Sequence, residues 1–201
     1  MSVRLRDDAL ETLRGWRPPD ESQAALRERY VAHLSAHPDG MERSCHPAHV
    51  TASTLVFDPG HTRLLLTLHA KSGRWFQLGG HPEPDDRTLA DAALREALEE
   101  SGLTPGDLHL HPDPVALDAH AVPFCGAPGT WHLDVMFRAV ARTEAALSVS
   151  EESLDLAWWP LEGLPDPELL PLARLALTRV AQSTSSPGPD SSRAPADHPS
   201  R

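Results

Sequence analysis

Glu96, Glu99 and Glu100 are spaced i, i+3 and i+4, so in a helix all three carboxylates share one face of a single turn. Arg95 stands immediately before them. Gly79-Gly80 opens the stretch that leads to them, GGHPEPDDRTLADAALREALEESGL, which ends at Leu103. Left alone, such a cluster is destabilising. Like charges at helical spacing repel by roughly 0.2–0.5 kcal/mol per pair, and a carboxylate at a helix C-terminus opposes the macrodipole by about 0.3–1 kcal/mol. Arg95 offsets only part of this. A solvated acidic face is the ordinary explanation of a Glu-rich helix. Here, however, the glutamates lie at the unfavourable end, behind a pair of glycines. A hard divalent cation takes clustered oxygen ligands, and Mg2+ in particular binds through a few carboxylates plus substrate phosphates. A metal would turn the repulsion into coordination, and a metal site is the reading adopted.

The elements that must position these residues are legible around them. Thr88 is placed to cap a helix, with Asp91 three residues on as its reciprocal partner. Leu89, Ala92, Ala93 and Leu94 give that helix an apolar side, and Gly102 sits where a left-handed C-cap is expected. Residues 1–38 have helical periodicity in two runs, broken at Pro18-Pro19, with Asp20 as an N-cap and Gln23 at the reciprocal position. From Val50 the period becomes two, through Thr51, Ser53, Leu55 and Phe57, and Asp58-Pro59-Gly60 supplies a turn into a Leu-rich strand over Arg63–His69. Trp75–Leu78 leads into the glycines. Short strands are expected at Leu108–His111 and Val115–His120, a clean one at Trp131–Ala141 and another at Leu156–Leu161. A Leu/Ala helix is expected over Pro167–Gln182. From Ser183 onward Ser, Pro, Asp and Gly dominate, and a disordered tail is expected.

Composition narrows the partners. With 29 acidic against 18 basic residues the formal net charge is −11, which disfavours a nucleic-acid polymer, since backbone phosphates are bound by clustered Lys and Arg. A small phosphorylated ligand stays open, because a bound metal reverses the local sign. No run approaches the roughly 18 apolar residues of a membrane span, and the N-terminus lacks a signal-peptide core. The chain is therefore expected to be cytoplasmic. Its 201 residues suffice for one domain with a proper core.

The stretch from Gly80 to Leu103 resembles the signature of the Nudix hydrolases, G-x5-E-x7-R-E-U-x-E-E-x-G-U, where U is bulky and apolar. Arg95 through Leu103 match it, with Ala97 small for its place. In the first half the acidic position falls on Asp86, and eight residues rather than seven separate it from Arg95. The extra residue is assigned to the loop ahead of Thr88. The resemblance implies an α+β fold, a Nudix-type α/β/α sandwich with a mixed β-sheet, over residues 46–183. An N-terminal helical extension (1–45) precedes it and the tail (184–201) follows. It implies a hydrolase that cleaves a diphosphate linkage in a nucleoside diphosphate joined to another moiety, with Mg2+ or Mn2+ held by Glu96, Glu99 and Glu100. Arg95 would pin a glutamate. Glu152, in the acidic turn before Trp158, would be the general base, with Glu99 as the alternative. Gly80, His81 and His132 are assigned to substrate.

Two other classes stay open on the same resemblance: a binding or regulatory domain of this fold without turnover, and a prenyl-diphosphate isomerase. The intact glutamate cluster argues against the first, and a missing cysteine motif against the second. The N-terminal helices are expected to pack on the domain or on a second subunit, which leaves a homodimer open. The twelve histidines are scattered and none stands in H-E-x-x-H spacing. Cys45 and Cys125 have no neighbour in sequence that marks an activated nucleophile, so inert thiols are expected.

Overall fold

The computed structural model describes residues 3–122, 125, 127–142, 146–150 and 153–183. Glu152 and the expected tail lie outside them.

The two helical runs at the N-terminus form α1 (Val3–Gly15) and α2 (Glu21–Ala36). Asp20 caps α2 from an extended conformation, its carboxylate accepting from Gln23 N at 2.9 Å. The reciprocal bond expected from the Gln23 side chain is not made. That amide instead grips the backbone of Leu117: its Nε2 donates to the Leu117 carbonyl at 3.0 Å and its Oε1 accepts from Leu117 N–H at 2.7 Å. Buried peptide groups need partners, and those of Leu117 find theirs on α2.

Among the described residues eight strands make one mixed sheet, with the order β3-β2-β1-β7-β5 along its main path; β4, β6 and β8 pair with β1, β7 and β2. These are β1 (Ala48–Phe57), β2 (Arg63–His69), β3 (Trp75–Phe76), β4 (Leu78–Gly80), β5 (Leu108–Leu110), β6 (Ala116–Ala121), β7 (Trp131–Ala141) and β8 (Ser153–Pro160). All ten residues of β1 are buried, because it runs through the middle of the sheet and is covered on both faces. Its pairing with β7 is parallel and that with β2 and β4 antiparallel. The stretch that leads into the glycines, Trp75–Leu78, contributes to two short strands, and the glycines belong to the second. Gly79 stands opposite Ser53 of β1, where a Cβ would come within 2.5 Å of the Ser53 Cβ. Only a glycine permits that approach. Strand β8 begins at Ser153, ahead of the expected Leu156, and the last helix, α4, runs Leu169–Ser183.

Helices cover both faces, as an α/β/α sandwich requires. On one side Leu5, Leu13, Tyr30 and Leu34 of α1 and α2 pack with α3 (Leu89–Ser101) on Val50, Ala52 and Val135. On the other, Leu169, Ala173 and Ala176 of α4 meet Leu55, Phe57 and Leu66. Trp16 donates its indole N–H to the Pro114 carbonyl at 2.6 Å, and the Tyr30 hydroxyl donates to the Asp118 carbonyl at 2.7 Å. The N-terminal pair is thus keyed to the sheet by polar bonds as well as by apolar burial. Among the described residues no helix is long and apolar enough to cross a membrane.

Gln23→Ala would strand a buried N–H and a buried carbonyl at Leu117. The expected loss is about 1–3 kcal/mol, measured by urea unfolding of the full chain. A change no larger than the ~0.5 kcal/mol usual for surface substitutions would mean that α2 rests on the sheet without being anchored there.

Candidate active site

Helix α3 has both of the ends its sequence predicts. Thr88 is extended and accepts from Asp91 N at 2.9 Å, and Gly102 takes the left-handed conformation (φ 67°), its N–H donating to the Leu98 carbonyl. The first turn receives a further cap from afar, the Asp8 carboxylate of α1, which accepts from Leu89 N at 2.8 Å. With the ends set, Arg95, Glu96, Glu99 and Glu100 fall beside β4.

Arg95 organises this corner. Its Nε and Nη2 make a two-pronged contact with Asp86, each bond 3.1 Å long, and Nη2 also donates to the His81 carbonyl at 3.0 Å. Nη1 donates to Glu96 at 3.2 Å and to Glu99 at 2.9 Å. Asp86 is buried, and its Oδ2 also accepts from Glu83 N at 2.7 Å. The residue at the acidic position of the signature is therefore the anchor of Arg95, while Glu83 lies at the edge, 4.0 Å from Nη1.

The three glutamates differ in surroundings. Glu96 is tucked in: a Cβ on Gly80 would come within 2.6 Å of its carboxylate, so the glycine leaves that carboxylate room. Glu100 accepts from Gly79 N at 2.8 Å. Glu99 is the exposed one, with its side chain 59% accessible. Burial pushes the Glu96 carboxyl up to about 7 although Arg95 pulls it down, and the nearby Glu99 and Glu83 add to the rise. Burial alone would lower the Arg95 guanidinium, but its bonds to Asp86 and the charges of Glu96 and Glu99 hold it above its usual value. An oxygen-rich cluster with more negative than positive charge, set against glycine backbone, is the donor set that suits a hard divalent cation.

A second group of titratable side chains lies on the sheet face that carries α4. His49 of β1 and His132 of β7 are partners across the parallel ladder. His81 follows β4, and Cys125 lies between β6 and β7. His49 Nε2 is 3.1 Å from His81 Nε2, and Cys125 Sγ is 3.3 Å from the latter and 3.6 Å from the former. The expectation that Cys125 lacks a partner is thereby corrected: the fold brings imidazoles to it that are remote in sequence. Cys45 fits the expectation of an inert thiol, since burial pushes it up to about 11. Burial and neighbouring imidazoles lower His81 to about 4 and His132 to about 3, so both rings are neutral near pH 7. Next to them Asp134 is fully enclosed, accepting from Thr51 at 2.9 Å and from Ser53 at 2.5 Å.

Of the residues singled out from sequence, Arg95, Glu96, Glu99, Glu100 and Gly80 are assembled in one corner. His81 adjoins that corner through its carbonyl, while its ring joins His132 in the second group. The grouping of His49 with His81 and Cys125 escaped sequence reasoning. Its one local trace is the alternation that puts His132 and Asp134 on the same side of β7.

Residues 47–179 match the family model of the NUDIX domain. Among solved structures the fold is similar to a C. elegans Ap4A hydrolase in a binary complex, at 21% identity and a TM-score of 0.54, covering 66% of this chain and 98% of that one. It is similar to a NUDIX-family hydrolase from Clostridium perfringens, at 23% identity and a TM-score of 0.52, covering 66% and 97%. It is also similar to the NUDIX domain of Shewanella oneidensis NrtR complexed with ADP ribose, at 17% identity and a TM-score of 0.51, covering 73% and 97%. At these identities the likeness is one of fold. No curated protein matches the sequence.

Glu96 gives a pH test of this corner. Its carboxyl titrates near 7 when folded and at 4.5 as a free group, so between those values the folded chain holds a proton that the unfolded chain has lost. Its contribution to stability therefore falls as pH rises from about 4.5 to about 7 and stays low above that. Metal-free Glu96→Gln should match the wild type in acid and become progressively more stable than it through this window, measured by urea unfolding in EDTA at several pH values. A wild-type-to-variant difference that is constant with pH would show that Glu96 is ionised throughout.

Proposed function

The chain belongs to the Nudix family, and from that premise we propose that it is a metal-dependent hydrolase cleaving a diphosphate linkage in a nucleoside diphosphate joined to another moiety. The observation that carries this reading is the crowding of Glu96, Glu99 and Glu100 beside Gly79 and Gly80, with Arg95 locked to Asp86. Ap4A and ADP ribose, the compounds named with two of the similar structures, belong to the same chemical class.

In this reading Glu96, Glu99 and Glu100 would hold Mg2+ or Mn2+, a role that fits their oxygen donors and the excess negative charge around them. When bound, the ion supplies charge neutralisation at the phosphoryl oxygens and lowers the pKa of water. The chain's own residues do the rest. Arg95 directs its N–H groups to Asp86, Glu96, Glu99 and the His81 carbonyl, so it acts as a positioning residue that orients two of the ligands. Gly80 leaves room for the Glu96 carboxylate and keeps the backbone close to it.

The attacking water has to lose a proton to a carboxylate within reach. Glu152 is proposed for this; in sequence it immediately precedes β8. Support comes from the segment just before it: Ser148 N donates to the Ser101 carbonyl at 2.8 Å, at the C-terminal end of α3. Glu99, the exposed carboxylate, is the alternative base.

The test is to offer the purified chain, with Mg2+, a panel of nucleoside triphosphates, dinucleoside polyphosphates, ADP-ribose and nucleotide sugars. Chelation should abolish turnover and Mg2+ or Mn2+ restore it; undiminished hydrolysis in excess EDTA ends the metal reading. On the substrate so identified, Glu152→Gln should lower kcat roughly 10²–10⁴-fold with KM within a few-fold, the deficit shrinking as pH rises. Retention of about half the wild-type kcat, well outside that range, would transfer the base role to Glu99, which Glu99→Gln then checks.

A further inference from the structure

The group formed by His49, His81, Cys125 and His132 supplies none of the ligands proposed for the acidic corner, and it brings the rings of His81 and His132, assigned to substrate on the family resemblance, against one another. Each of the four offers one ligand atom, and the four atoms all lie within 4.8 Å of one another. The separations among three of them are 3.1, 3.3 and 3.6 Å. A tetrahedral zinc ion, with bonds of about 2.0–2.1 Å to nitrogen and about 2.3 Å to sulfur, sets its ligand atoms about 3.3–3.6 Å apart.

Hydrogen-bond accounting points the same way. His49 Nδ1 lies 3.3 Å from the Cys45 carbonyl, which can only accept, so the neutral ring carries its proton there and Nε2 presents a lone pair. That lone pair faces His81 Nε2 and the Cys125 sulfur. His132 Nε2 is buried and has no hydrogen-bond partner. An imidazole whose second nitrogen donates to a backbone carbonyl is the usual arrangement around a metal-ligating histidine, because that bond orients the ring and raises its basicity.

We propose that His49, His81, Cys125 and His132 bind one zinc ion in a closed structural site. Three imidazoles and a thiolate are borderline-to-soft donors, which select zinc and its transition-metal neighbours over Mg2+. Four protein ligands leave no open position, which marks a structural rather than a catalytic ion. The ligands come from β1, from the residue after β4, from the connection between β6 and β7, and from β7. An ion there ties that connection to the sheet. It also fixes the backbone at His81, whose carbonyl accepts from Arg95 at 3.0 Å, and so steadies the residue that arranges the glutamates.

The experiment uses the full chain, stripped with a chelator and titrated separately with Zn2+ and with Co2+ as a spectroscopic substitute. Zinc should fill one tight site per chain, ahead of any weaker uptake at the acidic corner, and raise the melting temperature by roughly 5 °C or more. Cobalt should give the strong visible bands of a tetrahedral site and a thiolate charge-transfer band. Cys125→Ser should abolish the charge-transfer band, and His132→Asn should weaken zinc binding at least tenfold. The double variant Glu99→Gln/Glu100→Gln should keep every zinc and cobalt response, which separates this site from the Mg2+ corner whether or not the chain proves to be a hydrolase. The wild type is read with and without the ion, so the result does not depend on a variant folding. Zinc uptake well under one equivalent, an unmoved melting temperature, a charge-transfer band that survives Cys125→Ser, or loss of zinc in the glutamate variant would each overturn the site.

Discussion

The guanidinium of Arg95 is gripped by Asp86 on one side and reaches Glu96 and Glu99 on the other, and the acidic end of α3 depends on that one cation. Three carboxylates on a single helical turn repel one another and oppose the helix dipole. A lone exposed ion pair would do little about this. The Arg95–Asp86 contact is different in kind: Asp86 is buried, the contact is two-pronged, and Asp86 is itself held by the Glu83 backbone. Breaking such a pair typically costs about 3–5 kcal/mol, because it leaves an uncompensated buried charge. The departure of this chain from the family signature, an aspartate in place of a glutamate with one extra residue behind it, is accommodated by this contact. The short side chain of Asp86 still meets the arginine.

Close approach is the second constraint. Gly79 and Gly80 form the end of a strand pressed between β1 and α3, with Ser53 on one side and Glu96 on the other. A Cβ at Gly79 would collide with Ser53 of β1, and one at Gly80 would meet the Glu96 carboxylate. Gly79 also brings its backbone N–H to a carboxylate, donating to Glu100 at 2.8 Å. Sheet, glycines and acidic helix are therefore one mechanical unit. The N-terminal helices extend it, since Asp8 of α1 caps the first turn of α3 and Gln23 of α2 clamps β6.

Local features of this fold were legible from the sequence because they depend on contacts the chain makes with itself over a few residues. The helical face of Glu96, Glu99 and Glu100, the Thr88 cap, the Gly102 terminus and the strand Trp131–Ala141 all follow from periods of 3.6 and 2 and from the conformational freedom of glycine. So did the family, because its signature is confined to one loop and one helix. Where a side chain had a choice between a local and a distant partner, local reasoning failed. Gln23 is correctly spaced for a capping box, yet it turns to Leu117, whose buried peptide groups have the greater need of a partner.

The rest was decided only by tertiary structure. Nothing in the spacing of residues 49, 81, 125 and 132 marks them as neighbours, because their meeting depends on strand register and loop closure. The parallel ladder sets His49 against His132, the antiparallel pairing of β4 delivers His81, and the connection between β6 and β7 carries Cys125 over them. The role of Asp86 was hidden for the same reason, since only the folded loop brings its carboxylate to Arg95. By itself the sequence determined which side chains α3 presents on one face. Long-range pairing of the backbone determined what those side chains meet, because register between distant strands is fixed by the packing of the whole sheet and by no local rule.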